Sequence, residues 1–190
     1  MQLAETLHTA LDLISEGVVD RKLPFHTPSV ASISDDGFPN IRTVVLRNFD
    51  KQDRLIRFHT DRRANKCDEM LSNPRLAIHF YDADKKIQLK LKTTASMHCG
   101  DDIAADAWRS SQPSSKLCYC APVGPGSDVV KPPSAPLMKN TQIEEGFTNF
   151  CVVNAHISQL EWLYLSADGH QRAIFVWRRN GSLESRWLAP

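Results

Sequence analysis

The spacing between apolar segments is the feature of this sequence that most restricts its fold. Strand-like segments at 29–34, 41–49, 55–60, 75–81 and 87–97 follow one another closely, with one short helical stretch at 64–71. Parallel strands need a crossover connection of a dozen or more residues, and most of these connections are too short for one. The sequence therefore predicts an antiparallel sheet or barrel with peripheral helices.

The flanking segments complete a chain that is mainly β, of the α+β class. Apolar residues at three- and four-residue steps from Leu3 to Val18 predict an amphipathic helix. A short helix is predicted at 101–110, and strands at 147–155, 159–165, 172–179 and 185–188. Residues 111–146 hold six of the eleven prolines and little periodicity, which predicts a long loop. We expect a single domain over residues 1–190.

Composition and charge exclude several classes of partner. The chain has 23 Lys and Arg against 22 Asp and Glu, which argues against a nucleic-acid or membrane-surface protein. No apolar run approaches the ~20 residues that span a bilayer, and the N-terminus lacks the pattern of a signal peptide. The five cysteines form no C-x-x-C pair and the seven histidines no H-x-x-x-H pattern. We therefore expect reduced thiols, a cytoplasmic location and no metal site.

The basic residues are concentrated between positions 42 and 66, where eight Lys and Arg face three Asp. Thr60, Arg63 and Lys66 lie where a predicted strand passes into a helix start, and Arg42 lies on a neighbouring strand. Free N–H groups at a helix start and cationic side chains both bind phosphate. The segment predicts a phosphate site for a mononucleotide-like cofactor. A solvated hairpin surface without a ligand explains the same composition.

An ordered series of short motifs resembles a known family, the pyridoxamine 5′-phosphate oxidase-like flavoproteins. The motifs are Arg-Thr-Val-Val-Leu-Arg at 42–47, Phe-His-Thr-Asp-Arg-Arg-Ala-Asn-Lys at 58–66, Asn-Pro at 73–74, Gln88, Gln-Leu-Glu at 159–161, His-Gln-Arg at 170–172 and Trp-Leu-Ala-Pro at 187–190. The resemblance covers about residues 25–190. It implies a split β-barrel and a homodimer with FMN at the dimer interface.

The resemblance also implies roles for individual residues. The positions that match the family's cofactor contacts are Arg42, Thr43, Val44, Val45, His59, Thr60, Arg63, Lys66, Gln88 and Arg172. Arg47 and His170 fall on the substrate side, and no catalytic residue is identified. The implied activity is that of an FMN-dependent oxidoreductase, in which a hydride passes from a small-molecule substrate to flavin N5.

Departures from the family pattern bear on the substrate. Ala64 stands where the phosphate turn has a serine, His59 replaces a tyrosine, and Asp168 replaces an arginine. An aspartate facing a substrate phosphate would repel it, so FMN binding is better supported than oxidation of pyridoxamine phosphate. Two alternatives stay open: a non-catalytic protein that holds flavin or haem on the same fold, and a structural dimer with an inert basic hairpin.

Overall fold

Every strand pairing in the structure is antiparallel, as the short connections predicted. The structure is a computed structural model that describes residues 2–131 and 140–190. Its strands are β1 Ser29–Ile33, β2 Pro39–Thr43, β3 Leu46–Asp50, β4 Leu55–Asp61, β5 Arg75–Asp82, β6 Ile87–His98, β7 Phe150–Tyr164, β8 Gln171–Trp177 and β9 Leu183–Leu188.

Helices surround this sheet, which confirms the predicted α+β class. They are α1 Leu3–Val19, α2 Asn65–Ser72, α3 Asp102–Ser110 and α4 Pro113–Lys116, with 3₁₀ segments at Pro24–His26, Leu117–Tyr119 and Asn140–Asn149. None of the helices in the described part of the chain combines the length and the apolar character that crossing a membrane requires.

The longest strand, β7, organises the sheet. The strand order is β2-β1-β5-β6-β7-β4-β3, and β8 and β9 are attached beside β7. On one side β7 pairs with β6 along nearly all its length. On the other side its first half pairs with β4, and its second half, from Gln159 to Tyr164, pairs with β8. Since two strands share one side of β7, the sheet divides into two branches at that point.

The two ends of the strand order, β2 and β3, are neighbours along the chain. Only Val44 and Val45 separate them, yet no β2–β3 pairing occurs among the described strands. The sheet therefore curls until its edges approach each other without being closed by hydrogen bonds, which agrees with the split barrel that the family resemblance implied. The single strand predicted at 41–49 is wrong, because the chain leaves the sheet at Val44. There the N–H of Val44 donates to the Pro28 carbonyl at 3.0 Å, and its side chain enters the core.

Alternate side chains of the strands fill the inside of the curled sheet, which we call the inner face. Leu89 and Leu91 of β6, Val153 of β7 and Ile14 of α1 are completely buried there. A smaller cluster lies on the opposite, outer face, where Trp108 and neighbouring residues of α3 cover the beginning of β7. The first half of β7 is thus buried on both faces.

Two further predictions differ from the structure. The strands predicted at 147–155 and 159–165 are one strand, β7. Ser158 is an extra, unpaired residue opposite Lys92 and Thr93, and this β-bulge lets the pairing with β6 continue past it. The loop predicted at 111–146 contains α4, which begins at Pro113, a residue favoured in the first turn of a helix. Residues 132–139 of that loop lie outside the described residues.

Cys99 and Cys151 form a disulfide, so the expectation that all five cysteines are reduced is wrong. The pairing follows from the β6–β7 register, in which His98 lies opposite Val152 and the next position brings Cys99 opposite Cys151. The two cysteines are 52 residues apart in sequence, so local motifs do not indicate the pairing. Cys67, Cys118 and Cys120 are free thiols.

The disulfide predicts a thiol count. Protein purified without reductant and then denatured should present three thiols per chain to a thiol-specific reagent, and five after reduction. A Cys99→Ser variant should present one thiol more than the unreduced wild type, because it releases Cys151. Five reactive thiols in the unreduced wild type would contradict the pairing.

Candidate functional site

The end of β4 and the start of α2 bring Lys66 to Thr60. The Lys66 Nζ donates a hydrogen bond to Thr60 Oγ1 at 3.1 Å, with Thr60 buried and Lys66 half-buried. No carboxylate lies within ion-pair distance of Lys66 in the described residues. Burial and the nearby Arg42 cation lower the pKa of Lys66. A cation in this position gains from the approach of an anion.

Arg42 reaches the same place from β2. It lies opposite Val30 on the inner face, and its Nη2 donates to Glu69 Oε2 of α2 at 3.0 Å. Its Nη1 donates to the Asn40 carbonyl at 3.0 Å. The structure therefore brings together three of the residues predicted to bind phosphate: Arg42, Thr60 and Lys66. We call these three residues the basic cluster.

Arg63 does not join the basic cluster. Its Nη2 and Nε donate to the two carboxylate oxygens of Asp61 at 2.7 and 3.0 Å, and its Nη1 donates to the Ala121 carbonyl at 3.0 Å. The bonds to Asp61 raise the pKa of Arg63. Gly124 packs against the Arg63 side chain so closely that a Cβ there would lie 2.8 Å from the Arg63 Cβ. Arg63 thus holds the segment around Ala121 against the end of β4. Its predicted contact with a phosphate stays a prediction.

A polar cavity of about 350 Å³ lies on the outer face, between β3, β4 and the end of α3. Since side chains alternate along a strand, His59 faces this cavity while its neighbour Thr60 faces inward. Three arginines, one histidine and several hydroxyl and amide side chains line it, and no acidic side chain does within the described chain. The lining residues are Arg21, Arg47, Asn48, Arg57, His59, Ala107, Ser110, Ser111, Gln112 and Ser115. We call this cavity the outer pocket.

The outer pocket is rich in hydrogen-bond donors. Arg47 Nε and His59 Nε2 are buried and have no hydrogen-bond partner among residues 2–131 and 140–190. Burial, together with the Arg47 and Arg57 cations, lowers the pKa of His59 to about 4, so its imidazole is neutral at physiological pH. Arg57 is oriented by Asn154, whose Oδ1 accepts from Arg57 Nε at 2.9 Å. Guanidinium groups without carboxylate partners favour an anionic ligand.

Sequence reasoning found only part of the outer pocket. Arg47 was predicted on the substrate side and His59 beside the cofactor, whereas Arg21 and Arg57 were missed. The alternation of Arg57 and His59 along β4 was a usable signal, because residues two apart on a strand share a face.

Gln88 and Arg172 lie in one row across the outer face, at a distance from the basic cluster. The register places Gln88 opposite Leu163 and Leu163 opposite Arg172. Glu161, which the motif at 159–161 includes without a role, accepts from Arg172 Nη2 at 2.8 Å and from Lys90 Nζ at 3.0 Å. Arg172 Nε is buried and unpartnered among the described residues. We call Gln88 and Arg172, with Leu163 between them, the outer row.

The other predicted residues lie on the link between β2 and β3 and before β8. Thr43 is exposed at the end of β2, the Val44 side chain is buried in the core, and Val45 is half-buried. His170 is exposed in the turn before β8, where its Nδ1 accepts from the Ser166 N–H at 3.1 Å. His170 is not among the residues that line the outer pocket with Arg47.

The basic cluster and the outer row lie on opposite faces of the sheet. The strands that carry Arg42 and Arg172, β2 and β8, are five positions apart in the order β2-β1-β5-β6-β7-β8. Five strand spacings amount to ~24 Å along the sheet. One copy of the chain therefore does not gather all the predicted cofactor residues around one ligand.

Comparison with known sequences decides the family. Residues 6–99 match the family model described as pyridoxamine 5′-phosphate oxidase, FMN-binding domain. The chain is 24% identical over 167 residues to pyridoxine/pyridoxamine 5′-phosphate oxidase 2 of Arabidopsis thaliana, covering 84% of this chain and 83% of the relative. The chain belongs to the pyridoxamine 5′-phosphate oxidase-like family. Its match to the Brucella anthropi enzyme is 31% identical over 85 residues and spans only 40% of that relative.

Solved structures of this family have the same fold. A pyridoxamine 5′-phosphate oxidase-related, FMN binding protein from Nostoc punctiforme superposes with a TM-score of 0.76 at 21% identity, over 96% of both chains. PhzG from Burkholderia lata superposes with a TM-score of 0.75 at 15% identity, over 96% of this chain and 91% of that one. At these identities the likeness establishes the fold of this family member.

The neutral His59 predicts a loss of stability in acid. Its folded pKa of about 4 lies below the ordinary 6.5, so between these values the unfolded chain binds more protons and stability falls as the pH falls. We expect wild-type protein to lose about 2 kcal/mol more than His59→Gln between pH 7 and pH 4.5. Urea unfolding at both pH values measures this. His170→Gln, which replaces an exposed imidazole, is the control and should follow the wild type. An equal loss in His59→Gln would contradict the assignment.

Proposed function

We propose that this chain binds FMN and that the basic cluster holds the FMN phosphate. The observation that carries the proposal is Lys66, a half-buried cation beside Arg42 and Thr60 that has no carboxylate partner in the described chain. A phosphate accepts hydrogen bonds from ammonium, guanidinium and hydroxyl groups alike, so this donor set fits it. The family model that matches the chain describes an FMN-binding domain, which supports the same ligand.

We also propose that the protein acts as a homodimer in which two copies complete each site. The outer row supplies an amide at Gln88 and an unpartnered donor at Arg172 Nε, groups that fit the polar edge of a flavin ring. Because these residues lie on the face opposite the basic cluster, a second copy is the simplest source of both sets around one ligand.

The reaction that we propose is the oxidation of a small anionic substrate held in the outer pocket. Bound FMN would supply a two-electron acceptor for a hydride. Arg47 and Arg57 would bind the anionic group of the substrate. The neutral His59 can donate or accept one hydrogen bond at Nε2, according to its tautomer. His59 and Thr60 are adjacent on β4 and point to opposite faces, so the outer pocket and the basic cluster flank the same end of this strand.

Electron transfer separates this proposal from a non-catalytic flavin-binding role on the same fold. Holo-protein should be reduced anaerobically by at least one anionic amine or alcohol, with pyridoxamine 5′-phosphate as the first to try. The visible absorbance of the oxidised flavin should then bleach. Flavin that binds tightly but is reduced by none of these donors would favour the binding role.

The basic cluster predicts selective loss of phosphate recognition. We expect Arg42→Ala and Lys66→Ala each to weaken FMN binding by about 1.5–3 kcal/mol, which is tenfold or more, because each removes a charge-assisted contact. Riboflavin lacks the phosphate, so its affinity should change little. Titration followed by flavin fluorescence measures both constants. Lys22→Ala, which removes an exposed lysine elsewhere, is the matched control. Unchanged FMN affinity in both variants would support the inert basic hairpin instead.

The shared site predicts complementation between two defective variants. Lys66→Ala and Arg172→Ala homodimers should both bind FMN weakly. A mixed dimer has one site with both defects and one intact site, so about a quarter of all sites should regain wild-type affinity after statistical mixing. FMN titration of the unfolded and co-refolded mixture measures that fraction. A mass near 21.4 kDa for the FMN-bound protein in solution, or no regained sites, would contradict a shared site.

A further inference from the structure

Glu69 is a buried carboxylate that contacts one of the proposed phosphate ligands. It lies on α2, one turn after Lys66, and is 5% exposed. Its Oε1 accepts from Asn40 Nδ2 at 2.6 Å, and its Oε2 accepts from Arg42 Nη2 at 3.0 Å and from the Ser32 hydroxyl. Although burial acts to raise the pKa of Glu69, these hydrogen bonds keep it below the ordinary value. Glu69 is therefore an ionised group with partners on both β1 and β2.

The same contacts fix the direction of the Arg42 side chain. Arg42 Nη1 donates to the Asn40 carbonyl and to Ser32 Oγ, and its Nη2 donates to Glu69. A guanidinium has five N–H groups. Three are used in these bonds, which leaves the Nε–H and one Nη2–H without a partner among the described residues. Glu69 thus orients Arg42 and leaves it able to donate two further hydrogen bonds.

Two opposite effects of Glu69 on phosphate binding have to be weighed. Its charge repels a phosphate and so weakens binding. Its hydrogen bonds hold a long side chain in one conformation before the ligand arrives, which removes an ordering cost of about 0.5–1.5 kcal/mol from binding. Glu69 cannot release Arg42 to relieve the repulsion without leaving a buried carboxylate short of a partner. The orienting effect is therefore the one that persists in the bound state.

We propose that Glu69 is a positioning residue for phosphate recognition, which holds the Arg42 guanidinium beside Thr60 and Lys66 in the orientation that a phosphate monoester requires. The inference rests on the proposed binding of FMN at the basic cluster and adds a residue that does not itself touch the ligand. It also explains why a carboxylate is buried within an anion site.

The ratio of the riboflavin Kd to the FMN Kd tests this role, because it isolates the contribution of the phosphate. Glu69→Asp keeps the charge and shortens the side chain by one methylene, which breaks the contact with Arg42. Glu69→Gln keeps the length and removes the charge, and Asn40 can turn its amide to suit the new group. We expect the ratio to fall about three- to tenfold in Glu69→Asp and to stay within about twofold of wild type in Glu69→Gln. Asp68→Asn removes an exposed charge from the same helix and should leave the ratio unchanged.

The outcomes separate this inference from the proposed function. A ratio near one in the wild type would overturn phosphate binding at the basic cluster and the role of Glu69 with it. A ratio that falls in Arg42→Ala but not in Glu69→Asp would overturn the positioning role alone. So would a ratio that rises in Glu69→Gln and is unchanged in Glu69→Asp, because that pattern identifies Glu69 as a competitor of the phosphate. If Glu69→Asp does not fold, Ser32→Ala removes the hydroxyl that contacts both Glu69 and Arg42. An unchanged ratio there would show that fixing these two side chains contributes nothing to phosphate recognition, and would overturn the positioning role.

Discussion

The pairing of β7 with three other strands is the interaction on which the rest of the molecule depends. Its hydrogen bonds to β6 on one side, and to β4 and then β8 on the other, create the branch in the sheet. The β4 branch carries Thr60 and much of the outer pocket, and Lys66 follows it on α2, whereas Arg42 comes from β2 at the other end of the strand order. The outer row runs across β6, β7 and β8. Burial of the first half of β7 on both faces makes this pairing hard to disturb. The relative positions of β4, β6 and β8, and of the candidate ligand contacts that these strands carry, are therefore set by one strand.

Alternation along β4 then divides the chemistry between two faces. Thr60 faces inward, toward Lys66 and Arg42, while His59 and Arg57 face outward into a pocket lined by further arginines. The two faces differ in how their cations are neutralised. Glu69 partners Arg42 on the inner face, whereas no acid lines the outer pocket in the described chain. Alternation along one strand thus separates a partly compensated set of cations from an uncompensated one.

The sequence predicted the antiparallel sheet, α1, α2, α3 and three residues of the basic cluster, because periodicity and local charge are visible in a linear chain. It gave no role to Glu69 or Glu161, since a buried acid can only be told from a surface acid once its partners across the strands are known. The disulfide was missed for a related reason: Cys99 and Cys151 meet through the β6–β7 register and not through proximity in sequence. Arg63 belongs to a predicted motif, but Asp61, two residues before it, engages its guanidinium.

The two-residue link at Val44 and Val45 has a consequence for how such a chain tolerates insertions and deletions. Arg42 precedes the link and belongs to the inner face, and Arg47 follows it and lines the outer pocket. One added residue would turn each β3 side chain to the opposite face of the sheet, or would force a bulge in the pairing with β4. It would also withdraw Val44 from the core. Length in the 111–131 segment, by contrast, affects no strand register. Evolutionary drift in length should therefore concentrate in that segment and spare the link.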